Sequence, residues 1–227
     1  MAIVKKMIEK IPLEELSGVD EFFFKQIQMN KDKALRRFKP QYLETKEKVY
    51  SQVSMTAIYN SYPIKVVEGD VIYLENGVSI SSEMLARVIK ESDELLVIAM
   101  TLSGYDSLEA EESDGMKTLF LDGWGTSLVE GGSSWIKKKI SKKLEEEKLY
   151  TTQGWSPGQH NVDIKLQIQL FALLEPEEIG ITLSKSYMMH PKKSISSFVG
   201  IGRTKDIENI RACDFCEWRK TCPNSYA

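Results

Sequence analysis

All three cysteines of this 227-residue chain fall within ten positions near its C-terminus, as Cys213-x2-Cys216-x5-Cys222 followed by Pro223. Two cysteines separated by two residues can place both thiolates on one metal ion. A third nearby suits either a zinc site completed by His160 or His190 or a three-thiolate iron–sulfur cluster. The same spacing also fits free or loosely paired thiols, because a strong zinc signature would carry a second such pair. An odd, clustered set argues against a framework of structural disulfides.

Elsewhere the chemistry is sparse. There is no nucleophile elbow, phosphate loop or dinucleotide motif, and Gly200-x-Gly202 lacks both a third glycine and a following helix. Independent catalysis is therefore poorly supported. His190, between Met189 and Pro191, reads as a neutral imidazole packed in a turn rather than as a base. Met188 and Met189 read as apolar fillers, and Tyr187, Trp124 and Trp155 as core or pocket-wall aromatics. The run Lys31, Lys33, Arg36, Arg37 and Lys39 has the spacing of a solvated helix face.

These residues need elements to position them. From Leu13 to Tyr50, apolar residues recur at helical spacing among many charges, with an interruption at Pro40. Short β-like segments follow at 55–59, 64–67 and 71–74, separated by the turn formers Asn60-Ser61 and Gly69-Asp70, with Asn76-Gly77 beyond. Ser81-Ser82-Glu83 is set to cap a helix through Ile89. The apolar run 95–102 reads as a central strand ending at Gly104, where a glycine lets a ligand or a neighbouring chain approach. A long helix over about 114–147 carries Gly115, Gly123, Gly125, Gly131 and Gly132. Each interior glycine costs about 1 kcal/mol relative to alanine, so close packing, or less readily ligand approach, must compensate. After a Pro157-Gly158 turn come an apolar helix over about 163–174, an alternating strand leading into 184–189, and a second alternating segment over 194–201.

Composition narrows the classes. Hydrophobic residues make up 42% of the chain, enough for an ordinary core, and 30 basic against 33 acidic residues leave a net charge of -3 with both signs mixed. No nucleic-acid partner is expected from that balance. No segment approaches the roughly 18 to 20 apolar residues that span a bilayer, and the charged N-terminus lacks a signal-peptide core, so a cytoplasmic protein without a membrane partner is expected.

The stretch 155–202, with Trp155-Ser156-Pro157-Gly158, Ser186-Tyr187-Met188-Met189 and Ser194-Ile195-Ser196, resembles the reactivation domain of cobalamin-dependent methionine synthase. Trp155-Ser156-Pro157-Gly158 is similar to that family's Pro-Gly signature, and 173–183 to its Leu-Leu, Ile-Gly and Leu-Thr-Glu-Ser positions. Ser186-Tyr187-Met188-Met189 matches the Ser-aromatic-x-Met that follows, while Pro191 and Ser194-Ile195-Ser196 match the Pro and the Ser-Val-Ser. Upstream, Leu128-Val129-Glu130 stands where the family has Leu-Ala-Glu. The resemblance covers roughly 95–202, about half the chain. It departs at two positions: the arginine three residues before the Pro-Gly turn is Gly154 here, and the tyrosine after the Ser-Val-Ser strand is Val199. Gln159 stands where the family often has tyrosine, and the family's domain lacks the cysteine tail.

The resemblance implies an α+β fold, a mainly antiparallel twisted sheet flanked by helices, over 1–205 (with 1–50 as its helical N-terminal part); the cysteine-containing tail, 206–227, lies outside it. It implies an accessory role in cobalamin-dependent methyl transfer within methionine biosynthesis: binding S-adenosylmethionine, docking on a corrinoid protein or cobalamin-dependent methyltransferase that supplies the cobalamin, and supporting reductive reactivation. Glu130 would orient the ligand's amino group, with Trp155, Ser156, Pro157, Gly158 and Tyr187 completing the site; Cys213, Cys216 and Cys222 are the metal set that their own spacing, not the resemblance, suggests. The competing readings are a metal- or cluster-carrying protein on the same scaffold and an interaction module without a small ligand.

Overall fold

The central apolar run becomes strand β5 (Glu94–Ser103), in which every residue but the last is buried. It is apolar on both faces because both are covered. In this computed structural model, which describes residues 2–209, 211–215 and 219–221, β5 pairs antiparallel with β2 (Ser54–Glu68) on one side and β9 (Ser194–Gly202) on the other. Strands β3 (Val71–Leu74) and β4 (Ser79–Ser81) extend the sheet beyond β2, and β6 (Tyr150–Thr151) extends it beyond β9. Strand β1 (Met7–Ile11) pairs with the first half of β2. The chain is α+β, a curled antiparallel sheet flanked by helices, as expected.

Side chains of a strand alternate between faces. Leu96, Ile98 and Met100 of β5 therefore join Ala57 and Tyr59 under α1 (Val19–Gln26), α2 (Lys31–Gln52) and α5 (Gly115–Glu145). Leu95, Val97 and Ala99 join Ile58 under α3 (Glu83–Ile89) and α6 (Gln167–Leu174). The short helix α4 (Tyr105–Ala110) follows β5 directly. Local signals act as read: Ser82 Oγ accepts from the Leu85 amide at 3.3 Å, and α2 departs from helical geometry at Phe38, two residues before Pro40. The basic run of α2 lies at exposed positions.

Three expectations change. Asn60-Ser61 is not a turn. Strand β2 runs through it, paired with β5 from Ser54 to Pro63, and the Ser61 hydroxyl is engaged by Glu94 and by the Val4 backbone. The alternating strand expected before Ser184 shrinks to β7 (Thr182–Leu183), which pairs with β8 (Met189–His190) in a separate small sheet. Strand β1, with charged Glu9 and Lys10 at its centre, had given no strand pattern; it lies at an edge, where half of its residues can stay wet.

Four of the five glycines of α5 serve close packing, while a Cβ on Gly115, at its first position, would meet nothing. A Cβ on Gly123 would strike Ile27, and one on Gly132 would strike the sulfurs of Met55 and Met100, so this helix lies on its neighbours at a distance only a missing side chain allows.

Candidate functional site

Beyond β5 the sheet ends in β9 and, alongside it, residues 150–155. Trp155 exchanges backbone hydrogen bonds with Phe198 at 2.8 and 2.9 Å, and Thr152 Oγ1 accepts from the Gly200 amide at 2.9 Å. The α5 helix runs over this outer part of the sheet without closing on it completely. Between them lies a pocket of ≈ 50 Å³, floored by Ile98, Met100, Ile195 and Val199, edged by Gly154 and Ser197, and walled by Ser133, Ile136 and Lys137. It has room for one end of a ligand, with the remainder lying along the edge.

Glu130 lies on the same side of α5. Residues three and seven apart fall close to one helical face, so Glu130, Ser133 and Lys137 form a row about 10 Å long at 1.5 Å rise per residue. Neither Glu130 nor Lys137 forms a salt bridge among the described residues. Their surroundings act on them in opposite directions. Loss of solvation raises the Glu130 carboxyl above its usual range and lowers the Lys137 ammonium below its own, with Glu208 partly opposing the latter shift. Both residues keep much of their surface in water, so the shifts reflect crowding by nearby protein rather than full burial. An acid and a base on one helix face, neither in a salt bridge among the described residues, suit a ligand carrying both charges.

The remaining residues expected in the site divide. Pro157 and Gly158 form the anticipated turn, with the Gly158 amide donating to the Val162 carbonyl at 2.8 Å and the Gln159 amide to the Ser156 carbonyl at 3.1 Å. This turn follows the pocket edge, but Ser156, Pro157 and Gly158 are not among the pocket's lining residues. Trp155 is displaced from the expected role. Strand alternation sends Gly154 to the α5 side, beside Ser197 and Val199, and Trp155 to the opposite face, where it is fully buried against the α3 and α6 layer. Tyr187 occupies the connection between β7 and β8, in left-handed geometry with φ 63°, and its amide donates to the Ser184 carbonyl. It is half-buried and does not line the pocket. His190 is exposed on β8 rather than packed.

Nothing local to Lys137 marks it out from the other lysines in the charged second half of α5. Its only signal is its spacing, seven residues from Glu130 on a helix.

Of the metal set, Cys216 and Cys222 lie outside the described residues. Cys213 is half-buried and free, and no metal-binding cluster occurs among the described residues. Phe215 packs on Trp155 with ring centroids 6.1 Å apart, and His160 approaches the same indole edge-on at 6.3 Å. Arg87 lies over the Phe215 ring at 4.7 Å.

No protein-family model matches the sequence, and no curated protein does. No helix among the described residues is long and apolar enough to cross a membrane. Among solved structures, the chain is similar to the MetH reactivation domain bound to AdoHcy, with a TM-score of 0.63 and 14% identity over 87% of this chain and 78% of that one. At that identity the likeness is one of fold: the chain shares the α+β architecture of the MetH reactivation domain.

Proposed function

We propose that this chain is an accessory to cobalamin-dependent methyl transfer that holds an S-adenosyl ligand along the groove between α5 and β9. The observation that carries this reading is Glu130, an acid with no salt bridge among the described residues, in line with the pocket-lining Ser133 and Lys137, in a fold shared with a domain bound to AdoHcy. The small pocket takes the aminoacyl end, Glu130 meets its ammonium, and the nucleoside lies outside against the 152–156 edge. The cobalamin belongs to a corrinoid partner. Methyl transfer is chemistry of the cobalt and the sulfonium; the chain contributes position, which can itself supply much of a barrier reduction.

Isothermal titration of the purified chain with S-adenosylmethionine and S-adenosylhomocysteine tests this. Saturable one-site binding, weakened about ten-fold by E130Q through loss of a charge-assisted contact, is the expected result. No heat at millimolar ligand would overturn it. Retention of the chain by an immobilised corrinoid protein tests the docking role.

A second reading has one observation in its favour: Phe215, two residues after Cys213, and His160 pack on the same Trp155 ring. That contact brings the start of the cysteine tail and an imidazole to one region, as a zinc or iron–sulfur site would require. Metal analysis and visible absorption of anaerobically purified protein decide it, and colourless, metal-free material would remove its support.

A further inference from the structure

Among the described residues, the pocket between α5 and β9 is lined by one charged side chain, and that is Lys137. The facing wall is neutral, with Gly154, Ser196 and Ser197 beside Ile195 and Val199. An anionic group entering it therefore has a single cation to meet. Lys137 lies on the same helix face as Glu130, nearly two turns further on, and Ser133 lies between them with a hydroxyl that makes no side-chain hydrogen bond among the described residues. Lysine and glutamate have flexible stems, so a row about 10 Å long can fold inward onto two opposite charges a few ångströms apart.

We propose that Lys137 receives the α-carboxylate of the bound ligand, so that the groove selects molecules with a free α-amino-acid end: ammonium on Glu130, carboxylate on Lys137, Ser133 between. This rests on the ligand reading above and adds its selectivity. Three observations converge on it. The two charges sit in register on one helix face. Neither has a salt-bridge partner among the described residues, so a ligand displaces no existing pair. Each is disfavoured in its charged form by its surroundings, a cost that an incoming opposite charge relieves. Glu208, in the turn Lys205–Asn209, is the acid that acts on Lys137 from a distance, beyond salt-bridge reach. It leaves the ammonium free to pair with a ligand.

The test compares S-adenosylhomocysteine with 5′-methylthioadenosine, which keeps the nucleoside and thioether but lacks the amino-acid end, on wild-type chain, K137M and K137R. Lys137 is exposed, and thermal melts confirm that the variants fold. The wild type should prefer S-adenosylhomocysteine at least ten-fold. K137M should lose about ten-fold for that ligand and nothing for 5′-methylthioadenosine, and K137R should retain most of the wild-type preference. Equal binding of S-adenosylhomocysteine by K137M and wild type would overturn the role of Lys137 while leaving the ligand reading intact. Should the wild type bind neither nucleoside, the ligand reading fails by itself, and NMR titration with millimolar L-methionine decides Lys137. Shifts on the Glu130–Lys137 face that vanish in K137M support the zwitterion site, and their absence overturns it.

Discussion

Gly154 stands beside Val199 at the outer edge of the sheet: a Cβ built on the glycine would lie 3.9 Å from the valine's Cγ2 and 3.2 Å from Ser197. These are the two positions where the sequence departs from the family it resembles, and the fold makes them neighbours in one pocket wall. Their joint smallness leaves the wall without a cation.

That relationship predicts a rescue. Gly154 is exposed and its Cβ direction is tight but not blocked. G154R should therefore fold with a small stability change, and in a K137M background it should restore S-adenosylhomocysteine affinity toward the wild-type value by supplying a guanidinium from the opposite wall. Titration of the single and double variants measures it. A double variant no better than K137M would place the ligand carboxylate elsewhere.

Affinity should depend on pH through Glu130. Desolvation raises its carboxyl above the ordinary 4.5, and only the carboxylate pairs with an ammonium. Binding should therefore weaken as pH falls toward and through that raised value, earlier than an ordinary glutamate would allow. Lys137 is lowered below 10.5, so an alkaline loss should also begin early. E130Q should flatten the acid limb, and titrations between pH 4.5 and 8 would show it. An unchanged acid limb in E130Q would assign that limb to another group.

Gly104 should be intolerant of any side chain. It sits at φ 90° ahead of α4, and a Cβ there would lie 2.6 Å from the Gln52 carbonyl oxygen, a backbone atom that cannot swing away. Both the left-handed strain and the clash count against G104A, which should lose about 2 kcal/mol or more in urea denaturation. The close approach at this glycine is made by the backbone of Gln52 and Val53, at the end of α2.

Glu94 should hold down the N-terminal segment. Its carboxylate is buried, accepts the Ile3 amide at 3.0 and 2.9 Å and accepts the Ser61 hydroxyl, while Ser61 in turn binds Val4. E94A leaves the half-buried Ile3 amide without its acceptor and the Ser61 hydroxyl with the Val4 carbonyl alone, and should cost about 1–3 kcal/mol. Amide exchange at Ile3 and Val4 should accelerate well before the central strands respond. Unchanged exchange there would show the segment to be anchored by its apolar contacts alone.

Much of the framework was legible because it is local. The run 95–102 is apolar but for Thr101 because both sheet faces are covered, and Ser82, Pro40 and Pro157-Gly158 act within a few residues of themselves. The chain's own letters also showed an acid at Glu130, the departures at Gly154 and Val199, and a cysteine tail whose second and third members lie outside the described residues. Strand pairing decided the rest. Asn60-Ser61 became strand because ten residues of β5 lie alongside to pair with β2, and Trp155 turned to the far core because its register with Phe198 sends Gly154 the other way. Lys137 gained its place only when α5 was laid over β9, a contact between residues some sixty positions apart. Turn and cap chemistry is written in neighbouring residues, whereas a wall shared by a helix and a distant strand exists only once the sheet has fixed which faces meet.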